Sequence, residues 1–578
     1  MEDKLSVIAK NSSPNASPVQ LLEDKLSVIA KNSSPNASPV QLSVVSCQLS
    51  VVGCQLQKNI SLLCSLFPVP CSLFPIPCSP MLSTLILLPL IGAAFIGFYP
   101  FTISGKLSRI IAFFFSVIIF AWSIFLATQF NPGEIGQQFA ESLPWVDAIG
   151  LNYNLGIDGL SLPLLILNGL LTCIAIYSSD ESQQRPRFYY SLILLLNAGV
   201  IGAFLAQDLL LFFLFYELEL IPLYLLIAIW GGEKRGYAAT KFLIYTAFSG
   251  IVILASFLGM VWLSGSPSFG IATLNAQSLP LATQILLLVG ILVGFGIKIP
   301  LVPFHTWLPD AHVEASTPIS VLLAGILLKL GTYGLLRFGM NLLPDAWAYA
   351  APWLATWAVV SVLFGASCAI AQTDMKKMVA YSSIGHMGYV LLAAAASTPL
   401  SVLGAVMQMI SHGLISAMLF LLVGVVYKKA GSRDLNVIRG LLNPERGLPV
   451  IGSLMIFAVM ASAGIPGMVG FISEFIVFRG SFAVFPVQTL LAMLGNGLTA
   501  VYFLILLNRA FFGRLSAAVM NLPRVYWSDR IPAIILALAI VIFGIQPNWL
   551  VHYTQATITT MVKTNNHHLV ANRELLDS

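Results

Sequence analysis

The sequence predicts an all-α polytopic membrane protein with fourteen transmembrane helices. Three observations predict it. Of 578 residues, 57% are hydrophobic and only 9% charged, with a mean hydropathy of +0.87, which rules out an ordinary soluble globule. Apolar runs long enough to cross roughly 30 Å of hydrocarbon recur along the chain. Lysine and arginine gather in alternate loops between those runs.

The apolar runs begin at Met81. They lie near 81–99, 108–127, 159–178, 189–206, 209–230, 239–264, 281–308, 317–339, 352–372, 378–397, 402–427, 448–478, 484–512 and 530–548. Backbone groups in lipid must be satisfied within a segment, so these runs are helices and not open strands. Loops after odd-numbered runs hold eighteen Lys and Arg, against Arg337 and Arg479 after even-numbered ones. The positive-inside rule then runs odd-numbered helices from outside to inside and leaves both ends of 81–578 outside. The net charge of +5 is small and spread over loops, which argues against a nucleic-acid partner.

Residues 1–80 read differently. "EDKLSVIAKNSSPNASPVQL" occurs at 2–21 and again at 23–42, "SVVSCQL" precedes "SVVGCQL", and "CSLFPVP" precedes "CSLFPIP". These units are unlike one another, so no stacked repeat array is expected. No single basic n-region leads into one apolar core, so a secretory signal is a poor match. The expectation is a repetitive leader, translated from upstream tandem repeats or disordered, with Met81 as the native start. A native leader would also have to carry five lysines across the membrane.

Five of the seven cysteines fall in that leader, and Cys173 and Cys368 lie far apart. The chain has no CxxC pair, no GxGxxG, no phosphate loop, and no His, Cys and acid set at metal-ligand spacing. No cofactor and no metal are therefore expected in this chain.

Five ionisable residues remain inside the runs: Glu217, Glu219, Lys298, Lys329 and Glu474. Each costs about 2.5–3.5 kcal/mol at a helix centre, which makes function the default reading. Snorkelling at a helix end is the ordinary alternative, strongest for Glu219. Glu217 and Glu219 point about 200° apart on a helix and cannot both face one partner. Pro222 frees the carbonyl of Leu218 beside them, Pro300 frees that of Gly296, and Pro303 that of Ile299. Gly464, Pro466 and Gly467 interrupt the twelfth run before Glu474. Interrupted helices at matching places in two halves mark inverted repeats and an ion path. An ordinary proline kink is the plainer explanation, weakened by the ionisable residue near each break.

Desolvation pulls a lysine and a carboxylic acid toward the working pH range, and an opposite charge restores the ionised form. A Glu–Lys pair is thus a proton switch. The expected relay is Lys298, Lys329 and Glu474 in series, with Glu217 holding Lys298 and water beside the freed carbonyls. His305, His312, His386 and His412 are candidates to bridge the gaps, because histidine titrates in the useful range. A structural hydrogen-bond role is the ordinary alternative for each.

"FYELELIPLYLLIAIWGG", "KIPLVPFHTWLPDAHVEASTPISVLLAGILLKLGTYGLLRF" and "QTDMKKMVAYSSIGHMGYV" resemble the antiporter-like subunits of respiratory complex I and Mrp-type cation/proton antiporters. Within them the chain is most similar to the chain 4 type of cyanobacterial and chloroplast NAD(P)H–plastoquinone oxidoreductase (NDH) complexes, and the run from Ala311 resembles the CO2-uptake forms. The resemblance implies three N-terminal helices in 81–188, inverted five-helix repeats in 189–339 and 352–512 with broken helices seven and twelve, and a last helix and tail in 530–578. It implies a proton-relay set of Glu217, Lys298, Lys329 and Glu474. It implies other membrane-arm subunits as partners, plastoquinone and iron–sulfur clusters handled by other subunits, and a cyanobacterial thylakoid or plasma membrane. A stand-alone Na⁺/H⁺ antiporter and a non-conducting structural arm are the competing classes.

Overall fold

The computed structural model describes residues 81–98, 104–180, 183–445, 447–519 and 522–576. The leader at 1–80, with the origin expected for it, lies outside the described residues. The chain from Met81 onward is one compact unit; among the described residues it holds seventeen helices longer than one turn, numbered here α1 to α17, and one β-hairpin.

Two peripheral helices come first, α1 (Met81–Phe98) and α2 (Gly105–Gln129). The hairpin follows, β1 (Gln138–Val146) paired antiparallel with β2 (Leu151–Ile157). Then come α3 (Ser161–Tyr177), α4 (Pro186–Leu205), α5 (Leu209–Trp230), α6 (Arg235–Leu263) and α7 (Leu281–Lys298). A short α8 (Trp307–Glu314) leads into α9 (Thr317–Met340), α10 (Pro344–Ile370), α11 (Met375–Ala396) and α12 (Pro399–Ala430). The second break separates α13 (Pro449–Ser462) from α14 (Val469–Phe482), and α15 (Pro486–Phe511), α16 (Trp527–Ile545) and α17 (Asn548–Leu576) complete the chain.

Among the described residues, twelve helices are long and apolar enough to cross a membrane, and α3 and α13 are shorter apolar helices. The molecule is a helical, polytopic membrane protein. Local chemistry sets the helix starts. Proline occupies the first turn of α4, α10, α12, α13 and α15, where its missing N–H costs nothing. Side chains cap others: Asp208 Oδ1 accepts from Leu210 and Leu211 N–H at 3.0 and 3.1 Å, and Asp374 caps α11 in the same way.

α9 is buried along its whole length, and α11 and α12 nearly so, whereas α2 and α16 expose most of their surface. This central trio carries Lys329, His386 and His412. The predicted interruptions are present. The seventh run ends as helix at Lys298, and the twelfth is open from Ala463 to Met468. Two further irregularities were not predicted. α5 has a turn at Glu219, and α9 contains two π-helical stretches, Leu323–Leu327 and Leu335–Met340. The hairpin and α17 were also missed, because one is short and the other has no strong apolar run.

The two exceptions to the loop-charge pattern lie inside helices. Arg337 is in α9 and Arg479 in α14. Basic residues of the loops after odd-numbered runs gather at one end of the bundle, where Lys106, Lys234, Lys376 and Lys428 line a common cavity. That end is called the basic end below.

Candidate functional site

The first cluster sits where α5 and α7 are both interrupted. Glu219 occupies the turn that splits α5, and Lys298 is the last residue of α7. Their side chains form a buried ion pair between Lys298 Nζ and Glu219 Oε1, each essentially without solvent contact. Lys298 Nζ also lies 4.8 Å from the ring centre of Tyr216, within cation–π range. The Tyr216 hydroxyl is 3.2 Å from Ser249 Oγ, which donates to Gly294 O at 2.7 Å.

This arrangement corrects the expected pairing. The carboxylate against Lys298 belongs to Glu219, not Glu217. Glu217 is half-buried and points across to Gly250 of α6, where an added Cβ would lie 1.9 Å from its Oε1. Its charge still acts on both Lys298 and Glu219. The facing argument holds, since the two acids point to different neighbours; what it left open is which of them meets Lys298, and that is Glu219.

The expected water-filled break beside Lys298 is also corrected. The Gly296 carbonyl freed by Pro300 accepts from Leu301 N–H at 2.9 Å, and Ile297 O accepts from Trp307 Nε1 at 2.8 Å. Trp357 and Ile253 occupy the space beside Gly296 and Gly294. Neighbouring groups resatisfy this backbone, as a buried break in a membrane helix requires.

The second cluster is a connected series. Lys329 Nζ donates to Ala324 O at 2.5 Å and lies 2.7 Å from His412 Nδ1. The first π-helical stretch of α9 lies directly before Lys329, a distortion frequent at functional sites. His412 and His386 have ring centres 5.5 Å apart. His386 Nδ1 is 3.4 Å from Glu474 Oε1, and its Nε2 is 3.2 Å from Ser462 Oγ. Glu474 lies beside the second helix break, next to Gly464, and faces Asn496 of α15. A cavity with about 10 Å³ of space for water centres touches Ser382, His386, Gln408, His412, Ser462 and Glu474, room for roughly one water.

The structure thus joins Lys329, His412, His386 and Glu474, and it pairs Lys298 with Glu219. It does not bring His305 to Lys298. His305 sits in the turn before α8, packed against the Phe364 ring at 5.0 Å. His312 stacks on Phe420 with ring centres 4.3 Å apart, and neither ring nitrogen has a partner among the described residues. It feels the charges of Lys376 and Lys329.

Sequence reasoning missed several supporting groups. Ser473 Oγ donates to Gln408 Oε1 at 2.6 Å, and Gln408 Nε2 reaches His386 Nδ1 at 3.4 Å. Gln408 is one turn before His412 on the same face of α12, a spacing that could have marked it. Arg337, assigned to a loop from sequence, is buried and pairs with Asp158 at 2.6 Å. Among the described residues no group of three or more His, Cys, Asp or Glu side chains could hold a metal ion.

A family described as NADH:quinone oxidoreductase/Mrp antiporter, transmembrane, matches residues 206–499. NAD(P)H-quinone oxidoreductase chain 4 2 of Thermosynechococcus vestitus is 40% identical over 86% of this chain and 96% of its own length. NAD(P)H-quinone oxidoreductase chain 4 1 of a Nostoc strain is 43% identical over 76% of this chain and 82% of its own. Among solved structures, a chain of respiratory complex I from Thermus thermophilus superposes with a TM-score of 0.76 at 28% identity, over 84% of this chain and 99% of that one. A chain of the Mrp complex from a Dietzia strain has the same fold, with a TM-score of 0.76 at 19% identity over 85% of this chain. With helical interruptions that place buried acids against lysine and histidine, and relatives matched over most of its length, this chain belongs to the NADH:quinone oxidoreductase/Mrp antiporter membrane family, on the NAD(P)H-quinone oxidoreductase chain 4 branch.

Proposed function

We propose that this chain carries protons across the membrane arm of an NAD(P)H-quinone oxidoreductase (NDH) complex, coupled to electron transfer to quinone on other subunits. The observation that carries this reading is the buried series Lys329, His412, His386 and Glu474, in which Lys329 meets His412, His386 meets Glu474, and the two histidine rings lie 5.5 Å apart. Each member can hold or pass a proton, and each neighbour's charge shifts that balance. Glu219 and Lys298 form the matching centre in the first half, with Glu217 as the acid that faces Gly250 of α6.

In this reading all fourteen apolar segments cross the membrane, and 189–339 and 352–512 are inverted five-helix repeats. Support comes from the two corresponding interruptions, at 299–306 and 463–468. The basic end faces the cytoplasm, and the other end faces the lumen or periplasm of a cyanobacterial thylakoid or plasma membrane. Plastoquinone and iron–sulfur clusters belong to partner subunits, which adjoin this chain in the membrane arm. The CO2-uptake form belongs to the proposal on the strength of the Ala311–Gly339 motif alone. A stand-alone Na⁺/H⁺ antiporter has support from fold only.

The test is proton uptake into inverted vesicles during quinone reduction. Lys298→Ala or Glu217→Ala is expected to reduce uptake strongly while the complex still assembles. Normal uptake in correctly assembled mutant complexes would reject the relay.

A further inference from the structure

His386 Nδ1 has two neighbours of opposite demand, Glu474 Oε1 at 3.4 Å and Gln408 Nε2 at 3.4 Å. A carboxylate oxygen only accepts a hydrogen bond, and an amide nitrogen only donates one. A protonated Nδ1 suits the first and repels the second. A bare Nδ1 does the reverse. All three side chains are buried, so the group that loses goes unpaired away from water.

Ser473, the residue before Glu474 on α14, decides which way the Gln408 amide faces. Its hydroxyl has one hydrogen and two acceptors in reach, Gln408 Oε1 at 2.6 Å and Gly470 O at 3.0 Å. The shorter contact takes the hydrogen, because Gly470 O lies in the first turn of α14, where the helix ladder supplies its donor. With Oε1 held by Ser473, Nε2 is the Gln408 atom left facing His386. Nδ1 is then bare, and His386 Nε2, 3.2 Å from Ser462 Oγ, carries the ring hydrogen. A bare Nδ1 against an ionised carboxylate would set two lone pairs face to face. Glu474 avoids this by holding a proton on Oε1 and donating it to Nδ1.

The neighbouring titratable groups pull differently. The His412 ring of α12 lies 5.5 Å from that of His386, with Lys329 of α9 against its far side. Tyr389 of α11 and Tyr502 of α15 also act on Glu474, and Asn496 of α15 is a neutral partner. A positive charge on Lys329 or His412 favours an ionised Glu474. The Gln408 amide opposes that pull.

We infer that Gln408, oriented by Ser473, is a positioning residue that keeps the proton shared by His386 and Glu474 on the Glu474 oxygen. Its use in conduction rests on the relay reading, whereas the preference itself follows from the hydrogen-bond geometry. Transfer to the histidine breaks the O–H bond at Glu474 Oε1 and forms an N–H bond at Nδ1. Glu474 is left ionised, and the imidazolium carries hydrogens on both nitrogens. The Gln408 amide has to turn or let go for that step, so a neutral side chain gates the movement of a charge.

The test is infrared spectroscopy of the whole purified complex, following the carbonyl band of protonated Glu474 across pH, with Glu474→Gln to identify the band. Wild type is expected to show the band at pH 7. Gln408→Met keeps the bulk without an N–H, and is expected to move the loss of the band about one pH unit lower, the worth of one neutral hydrogen bond. Ser473→Ala frees the amide to turn and is expected to move it the same way by less, while Ser473→Thr restores the wild-type position. An unmoved band in assembled Gln408→Met and Ser473→Ala complexes would overturn the positioning role, and so would a wild-type complex without the band at pH 7. Proton uptake by the same complexes separates the two ideas. A moved band with normal uptake supports the positioning role and counts against a relay through Glu474. Lost uptake with an unmoved band overturns the positioning role and leaves the relay standing.

Discussion

Glu219–Lys298 in the first half and His386–Glu474 in the second are both buried, and both sit beside an interrupted helix, yet they hold charge differently. In the first half the acid and base touch directly, and the Tyr216 ring packs beside the lysine. In the second half the acid is held by a histidine that itself has serine and glutamine contacts, around a cavity of water size. A direct ion pair is a two-state lock, because removing one partner strands the other in a medium of low dielectric. A histidine network is graded, since each member can rotate or exchange partners. The comparison teaches that one repeated helix interruption can carry a lock in one half and a conduit in the other.

The sharpest way to break this comparison is to cut the lock. Glu219→Gln leaves Lys298 buried without its carboxylate, an expected loss of about 3–5 kcal/mol. Glu217→Gln alters a half-buried acid against Gly250 and is expected to cost far less stability. Both are expected to lose pumping. Thermal unfolding of the purified complex reads the first difference, and equal destabilisation would erase the distinction between the paired acid and the lateral one.

A smaller effect is expected in the second half. His386→Gln keeps a hydrogen-bonding side chain among Ser462, Gln408 and Glu474, so its expected stability loss is only about 1–3 kcal/mol. Pumping is expected to slow and its pH dependence to change, because glutamine does not titrate. An unaltered pH profile would remove His386 from the conduit and leave it a structural partner.

The smallest effect concerns the anchoring of α5 at the end away from the basic loops. Burial pushes the Asp208 carboxyl up to about 6, although Leu211, Asn152 and Leu210 N–H groups pull the other way. The folded chain therefore holds this proton more tightly than the unfolded chain. Its contribution to stability grows as pH falls from about 6 toward 4, and the ionised form is a net cost above that range. Asn is an equally good cap. Asp208→Asn is therefore expected to be no less stable than wild type at pH 7 and to lose the advantage of acid conditions. An unfolding midpoint well below wild type at pH 7 would show that the charge itself holds the cap.

Much of the architecture was legible because hydrocarbon imposes a length and a polarity on every crossing. Lys329 and Glu474 stood out for the same reason: a charge inside such a run is costly enough to need a partner. The partners were harder to read. Glu219 was left without a role because the resemblance places the acid at Glu217, and only the packing of α5 against α7 shows which of the two divergent carboxyls meets Lys298. His305 and His312 stood beside His386 and His412 as candidate bridges, with the latter two favoured, and only those two lie between Lys329 and Glu474. The packing of Phe338 against Phe212, Phe257 and Phe295 was invisible, since Phe338 and the exposed Phe248 are each one phenylalanine in an apolar run.

Membrane residence, the helical class, the basic end and the costly buried charges thus follow from the order of residues alone, because they depend on local hydrophobicity summed along short windows. Which acid meets Lys298, which histidines lie between Lys329 and Glu474, and which rings pack together in the first half depend on how several helices pack at once. Those contacts join residues as far apart in sequence as Glu219 and Lys298 or His386 and Glu474. Two acids that diverge from one segment meet different neighbours only when other helices pack against it, and no property of the isolated segment records that choice.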